Sequence, residues 1–338
     1  MMAADVKGQD ISFSGYAMGQ YQWDAKEGDE TNQFNLRLAR VTVKGHILND
    51  FLWLVQGQIN GNTSTVSSSP RLVDYYVEWQ KLPFLKVKFG QFKRPFTFEN
   101  PMNPIDQGFY SYGQAVLKLA GFSDRNGEHS GNGRDQGLQL QGDLLPDGTG
   151  RHWLHYQVGV FNGQGINVGD ADNQKDLIGG LWVMPAAGLR VGAFGWRGSY
   201  SRKGTKLKRN RYALSAEYVT ESDYTFRSEY LHSKGRAFRD VYDGKDTGNA
   251  ISTTKGNTAD GFYALAIVPL KKKSWHVKAR FDTYRENATW KSATTHYEIG
   301  MDYNFTRQLQ VSAEYILVSD RSTDKNHSLV DFQMNFRF

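Results

Sequence analysis

Apolar and polar residues alternate one by one over many short stretches of this 338-residue chain. The last stretch is the clearest. Val330, Phe332, Met334, Phe336 and Phe338 fall on one face, and Asp331, Gln333, Asn335 and Arg337 on the other. Tyr297, Ile299, Met301, Tyr303 and Phe305 likewise oppose Glu298, Gly300, Asp302 and Asn304. Val73, Tyr75, Val77 and Trp79 oppose Asp74, Tyr76 and Glu78. A period of two is the mark of a β-strand with one apolar and one polar face. Read this way, the chain holds sixteen strands, the first over Ile11–Trp23 and the last over Leu329–Phe338.

The connections alternate as well. Those after even strands are short turns, such as Asn49-Asp50, Leu82-Pro83 and Pro185–Gly188. Most of those after odd strands are long and polar, such as Gly61–Pro70, Arg202–Arg209 and Lys234–Asn257. Short turns at one end and long loops at the other, with an even strand count, predict an all-β, 16-stranded antiparallel transmembrane β-barrel. Residues 1–338 then form a single barrel domain. In lipid the apolar face must point outward, because a charge there at mid-depth costs about 2–4 kcal/mol. The competing reading is a soluble sheet with one wet face. It would place Phe332, Met334 and Phe336 in a core, but no helical periodicity supplies the layer needed to cover such a sheet.

One connection stands apart. Gly90-Gln91-Phe92-Lys93-Arg94-Pro95 leaves its strand at Pro95, and Pro101 and Pro104 follow. Proline has no N–H for a ladder, so no strand continues here. The next clear strand begins near Gln136. A connection this long is uncommon unless it performs a function. It predicts a long third extracellular loop, residues 93–134, folded into the lumen as a constriction.

Composition agrees with this picture. Mean hydropathy is low, at −0.59. Aromatic residues make up 14% of the chain, and there are 35 Gly. No apolar run approaches the roughly 20 residues of a spanning helix. There is no Cys, which excludes disulfides and Cys-metal sites. The net charge of +6 is modest, and no basic run is interleaved with stacking aromatics, so nucleic acid is not an implied partner. Met1–Lys7 shows no apolar signal core. For a barrel of the bacterial outer membrane, that means a signal peptide already removed from this numbering.

An enzyme needs a nucleophile or activated water beside a base. His152 and His155 face opposite sides of their strand, and no Gly-x-Ser-x-Gly occurs. Neither a catalytic set nor a metal site emerges, and no cofactor is implied. Fixed positive charge at a narrow point would instead give anion selectivity. Alternation points Arg37, Lys86, Lys88, Arg227, Lys278 and Arg280 into the lumen, and the loop adds Lys93, Arg94, Lys118 and Arg125. Lys118 is the leading loop candidate, since Ala115–Ala120 is an apolar patch that would anchor it. A lysine snorkelling from a packed loop is the alternative. The lumen also carries acids, among them Asp74, Glu78, Glu217, Glu229, Asp282, Glu298, Asp302, Glu314 and Asp331. They either face the bases across the pore or pair with them.

Phe34-Asn35-Leu36-Arg37-Leu38-Ala39-Arg40, Gly90–Phe96, Gly133-Arg134-Asp135-Gln136-Gly137 and Gly159–Gly163 together resemble the phosphate-selective porin O and P family of outer-membrane porins. The terminal Phe338 resembles the C-terminal aromatic of bacterial barrels. The resemblance implies a Gram-negative outer-membrane homotrimer of water-filled pores. It also implies narrowing by the third loop, and lysines and arginines that bind phosphate or polyphosphate. The implied function is passive diffusion of small anions, with the lipid bilayer and lipopolysaccharide as surroundings. A general diffusion porin without phosphate preference stays open. So does a plugged barrel that serves a partner in an envelope complex.

Overall fold

The computed structural model describes residues 10–60, 70–128, 131–202, 204–240, 249–251, 256–270 and 274–338. The chain forms β1 (Ser12–Asp24), β2 (Thr31–Ile47), β3 (Phe51–Gln58), β4 (Arg71–Leu82), β5 (Leu85–Lys93) and β6 (Arg134–Pro146). It continues through β7 (His152–Phe161), β8 (Asp176–Ala186), β9 (Leu189–Arg202), β10 (Thr205–Val219) and β11 (Thr225–Lys234). A small hairpin of β12 (Phe238–Asp240) and β13 (Asn249–Ile251) precedes β14 (Thr258–Pro269). The chain ends with β15 (Trp275–Arg285), β16 (Ala293–Asn304), β17 (Leu309–Asp320) and β18 (Lys325–Arg337). All except β12 and β13 join in one closed antiparallel barrel of sixteen strands. β1 closes it against β18, with Tyr16 opposite Arg337 and Asp24 opposite Leu329.

Closure leaves no unpaired edge. Phe338 completes the seam, since its N–H donates to the Gly15 carbonyl and its own carbonyl accepts from Gly15. A side chain at position 15 would collide with the Phe338 ring, and the glycine there makes room for it.

Burial along the strands is inverted relative to a soluble core. On β18, Phe332, Met334 and Phe336 are exposed, while Asp331, Gln333 and Asn335 are buried. The nine acids that alternation assigned to the polar face are all buried. The apolar core lies between the strands and the segment joining β5 to β6. Phe96, Phe98, Phe109, Val116 and Leu119 of that segment pack with Phe161, Phe194, Trp196, Leu231 and Tyr263 of the strands. The segment also contains a single helical turn and a half, α1 (Gln114–Leu119), which alternation did not predict.

One expectation is corrected. Arg202–Arg209 is not a basic loop, because β9 runs to Arg202, β10 starts at Thr205, and those two residues pair. Leu207, Arg209 and Arg211 are buried while Lys208, Asn210 and Tyr212 are exposed. Alternation persists through the run, but two of its three inward residues, Arg209 and Arg211, are ion-paired arginines, and charge disguised the strand. The expected loop at Gly61–Pro70 falls almost wholly outside the described residues, as does part of Lys234–Asn257.

Candidate functional site

The site is built where β5 gives way to the segment 94–133. Gly90 adopts φ +139°, and a Cβ there would lie 2.1 Å from the Tyr75 carbonyl oxygen. Only glycine tolerates both the torsion and the approach. Past Pro95 the segment is held by side chains of the barrel. One oxygen of the Glu229 carboxylate accepts the N–H groups of Phe98 at 2.5 Å and Glu99 at 3.1 Å. Asp282 accepts the N–H of Gln114 at 2.8 Å. Glu99 in turn accepts the Gly113 N–H at 3.0 Å. Burial pushes the Glu99 carboxyl up to about 7, against the pull of Arg280.

Eight of the ten cations expected to line a pore fall into three settings, and Lys86 and Lys118 line neither of the two cavities described below. The first is a buried ion network. Arg94, fully buried, meets Glu128 at 2.9 Å and Asp135 at 2.7 Å. Arg209 pairs with Glu128 and Asp176, and Arg211 with Asp124, while all three guanidinium groups lie within 5 Å of the Trp196 ring centre. Burial works against ionisation of Asp124, but the Arg211 guanidinium overcomes it and holds the carboxyl at about 2. Arg125 is also buried and donates to the carbonyls of Gly235 at 2.5 Å and Gly256 at 2.9 Å.

The second setting is a ladder of paired charge. Arg227 binds Glu217 at 2.6 Å, and Arg280 binds Glu298 at 2.9 Å. Lys278 sits between Asp302 at 2.7 Å and Glu314 at 2.8 Å. Each also donates to a carbonyl of the segment: Arg227 to Gln107, Lys278 to Gly108 and Arg280 to Ser111. These cations hold the segment in place. Of the two arrangements open for the acids, direct pairing is the one seen here.

The third setting borders open space. A cavity of about 520 Å³ is lined by Lys44, Lys88, Lys93, Arg134 and Arg337 among others. A second, of about 470 Å³, is lined by Arg37, Arg40, Lys93 and Arg134 among others. Lys93 and Arg134 belong to both linings and so stand between the two spaces. Lys93 donates to the carbonyls of Asn100 at 2.7 Å and Met102 at 2.5 Å. Arg37 donates to Gln333 at 3.1 Å. Lys88 lies 3.4 Å from Glu78 and 4.7 Å from the Tyr76 ring centre, and Lys86 lies 3.5 Å from Asp143. Lys118 is half-buried on α1, where its carbonyl accepts the Arg125 N–H.

Arg40, Arg71 and Arg134 were not expected here. Arg134 binds Asp74 through two bonds, at 2.8 and 2.7 Å. Arg40 is buried and donates to Gln58 and to the Tyr16 hydroxyl, with no carboxylate paired to it among the described residues. Arg71 Nε and Nη1 have no hydrogen-bond partner among the described residues. Two β-bulges explain why alternation missed Arg40 and Arg71; Arg134 is the first residue of β6, ahead of the start that alternation placed near Gln136. Met18 pairs with Leu38 but Gly19 with Leu36, so Arg37 is an extra residue on β2. Gln56 pairs with Asp74 but Gly57 with Leu72, so Val73 is extra on β4. An extra residue reverses the facing of everything beyond it. Phe34 and Leu36 are exposed, yet Leu38 and Arg40 are buried. The only signal in the sequence was the break in apolar alternation itself.

The fold has many counterparts among solved structures. An anion-selective porin from Comamonas acidovorans superposes with TM-score 0.73 at 12% identity, over 98% of this chain and all of that one. OmpT of Vibrio cholerae, in a trimer form, gives TM-score 0.64 at 11% identity, over 98% of this chain and 100% of that one. OmpF of Salmonella typhi in complex with daunomycin gives TM-score 0.69 at 11% identity, over 97% of each chain. At such identities the likeness concerns the fold. No curated protein matches the sequence. Residues 14–149 match the model of the family described as Phosphate-selective porin O and P, the family that the motifs at Phe34 and Gly90 resemble.

Proposed function

We propose that this chain is a porin of the bacterial outer membrane, through which small anions diffuse passively. The barrel spans the bilayer with its exposed apolar face against lipid. The segment 94–133 lies in the lumen and narrows it. The solute path passes between that segment and the wall built by β1 to β6. A homotrimer is the proposed assembly.

The observation that carries this reading is the charge at the neck. Lys93 and Arg134 line both cavities, Arg40 lines the second, and Arg71 flanks Gln58 on the side away from Arg40; Asp74 is the one carboxylate paired to any of the four among the described residues. Elsewhere the described buried arginines and Lys278 each have a carboxylate partner. Unmatched charge in a narrow, poorly solvated passage attracts anions and repels cations. The narrower reading, selectivity for phosphate, is supported by the family match and by the forked donors of arginine. A plugged barrel would lack a conducting path altogether.

The test is the zero-current potential of the purified chain in a planar bilayer across a KCl gradient. The potential should have the sign of an anion-preferring pore. Arg40→Ala and Arg71→Ala should each move it toward zero, and the double variant further. A cation-selective wild type sinks the reading, and absence of any conductance favours the plugged barrel.

A further inference from the structure

The cavity of about 470 Å³ has two unlike walls. The wall made by the strands is cationic and amidic, with Arg37, Arg40 and Arg134 beside Gln20 and Gln22. No carboxylate lines the cavity among the described residues, and two acids that bond to its lining residues are already engaged. Asp74 is held by Arg134 at 2.7 Å, and Asp331 accepts from Gln20 at 2.5 Å, Gln22 at 3.2 Å and Gln333 at 2.8 Å. The wall made by the segment is largely apolar: Tyr110, Tyr112, Leu117 and Phe122 line it. The Tyr112 and Phe122 rings lie 4.7 Å apart, and the Tyr112 hydroxyl is spent on the Met102 carbonyl at 2.7 Å. Tyr112 therefore offers the cavity its ring and not its hydroxyl.

Each kind of solute uses these walls differently. Inorganic phosphate would satisfy the guanidinium groups but carries polar oxygens all round, and has nothing to lay against Leu117 and Phe122. A short aliphatic acid has too little body to reach across. A neutral sugar leaves the unmatched positive charge without an anion. A carboxylate attached to a flat apolar body answers both walls, with its oxygens on Arg40 and Arg37 and its body against the rings.

Building on the anion-channel reading above, we propose that this cavity is a binding site for small carboxylates that carry an aromatic or other flat apolar body. It favours them over inorganic phosphate and over short aliphatic acids.

The test uses the purified full chain in a planar bilayer at neutral pH. Benzoate, acetate and inorganic phosphate are each titrated against the KCl current. Benzoate should reduce the current at concentrations about tenfold below acetate, the effect of burying about 55 Å² of apolar surface. It should also act below phosphate. In the double variant with Tyr110→Ser and Leu117→Ser the benzoate-to-acetate ratio should fall toward one. Equal potency of benzoate and acetate in the wild type overturns the proposal, as does tighter action by phosphate, or a ratio unmoved in the double variant. The KCl zero-current potential, measured on the same channels, keeps the two ideas apart. An anion-selective pore with equal potencies removes this site alone, whereas a cation-selective pore removes the channel reading beneath it.

Discussion

Arg94 and Arg40 are both buried arginines near the β5–β6 segment, and what faces each of them separates their roles. Arg94 meets two carboxylates that are themselves buried. Removing one member of such a set leaves uncompensated charge in a dry place. Arg94→Ala should therefore cost about 3–5 kcal/mol of stability, read from the unfolding of the detergent-folded barrel in denaturant. Arg40 faces an amide and a hydroxyl. Its replacement should be felt in ion selectivity more than in stability. Glu99 gives a residue-scale prediction in pH. Its carboxyl ionises near 7 when folded, against an ordinary value of 4.5. Between those two values the folded chain keeps a proton that the unfolded chain has lost. The stability contributed by this group is then complete below 4.5 and is lost as pH rises through 7. Glu99→Gln should flatten the fall of the thermal unfolding midpoint between pH 5 and pH 8. A slope identical to wild type would show that the carboxyl does not titrate there.

At the scale of elements, strand periodicity was legible and its interruptions were not. The apolar residues of β18 and β16 announced their facing directly, because each strand keeps one register along its length. On β2 and β4 a single extra residue changes the facing midway. A bulge leaves no composition of its own, so its position is settled by the partner strand. The end of β5 is different, for Gly90 and Pro95 mark it in the sequence. Gly90→Ala should lower folding yield, through positive φ and contact with the Tyr75 carbonyl, at a cost of about 1–3 kcal/mol. Folding yield is read from the heat-modified shift of the barrel on an electrophoresis gel. Unchanged yield would mean that β4 and β5 can part there at little cost. The tip of the β9–β10 hairpin, Arg202–Arg209, was misread as a loop for a related reason. Its inward arginines are stable only because Glu128, Asp176 and Asp124 arrive from distant parts of the chain.

At the scale of the whole molecule, the exposed apolar face and the buried polar one argue for lipid outside and water within. Met334 is 54% exposed on β18, opposite Gly19 and Val311. Met334→Arg should cost about 2–4 kcal/mol when the barrel folds into lipid vesicles, provided Met334 meets hydrocarbon. A change near zero would argue that this face meets water.

The sequence by itself determined the sixteen strands, their closure into a barrel and the place where the chain leaves the wall. Each of these follows from local rules: alternation, turn residues, and a glycine and prolines that end a strand. It also determined which acids are buried wherever a strand keeps its register. Only the tertiary structure decided which cations are neutralised and which face open space. Ten were candidates by alternation and loop position. The barrel gives Arg94, Arg227, Lys278 and Arg280 of those ten partners among the acids, and leaves Arg40 and Arg71, which were not among them, without a carboxylate partner among the described residues. Pairing joins residues far apart in the chain, and its pattern depends on register shifts at two bulges. No property of an arginine's sequence neighbours reports the charge that faces it across the barrel.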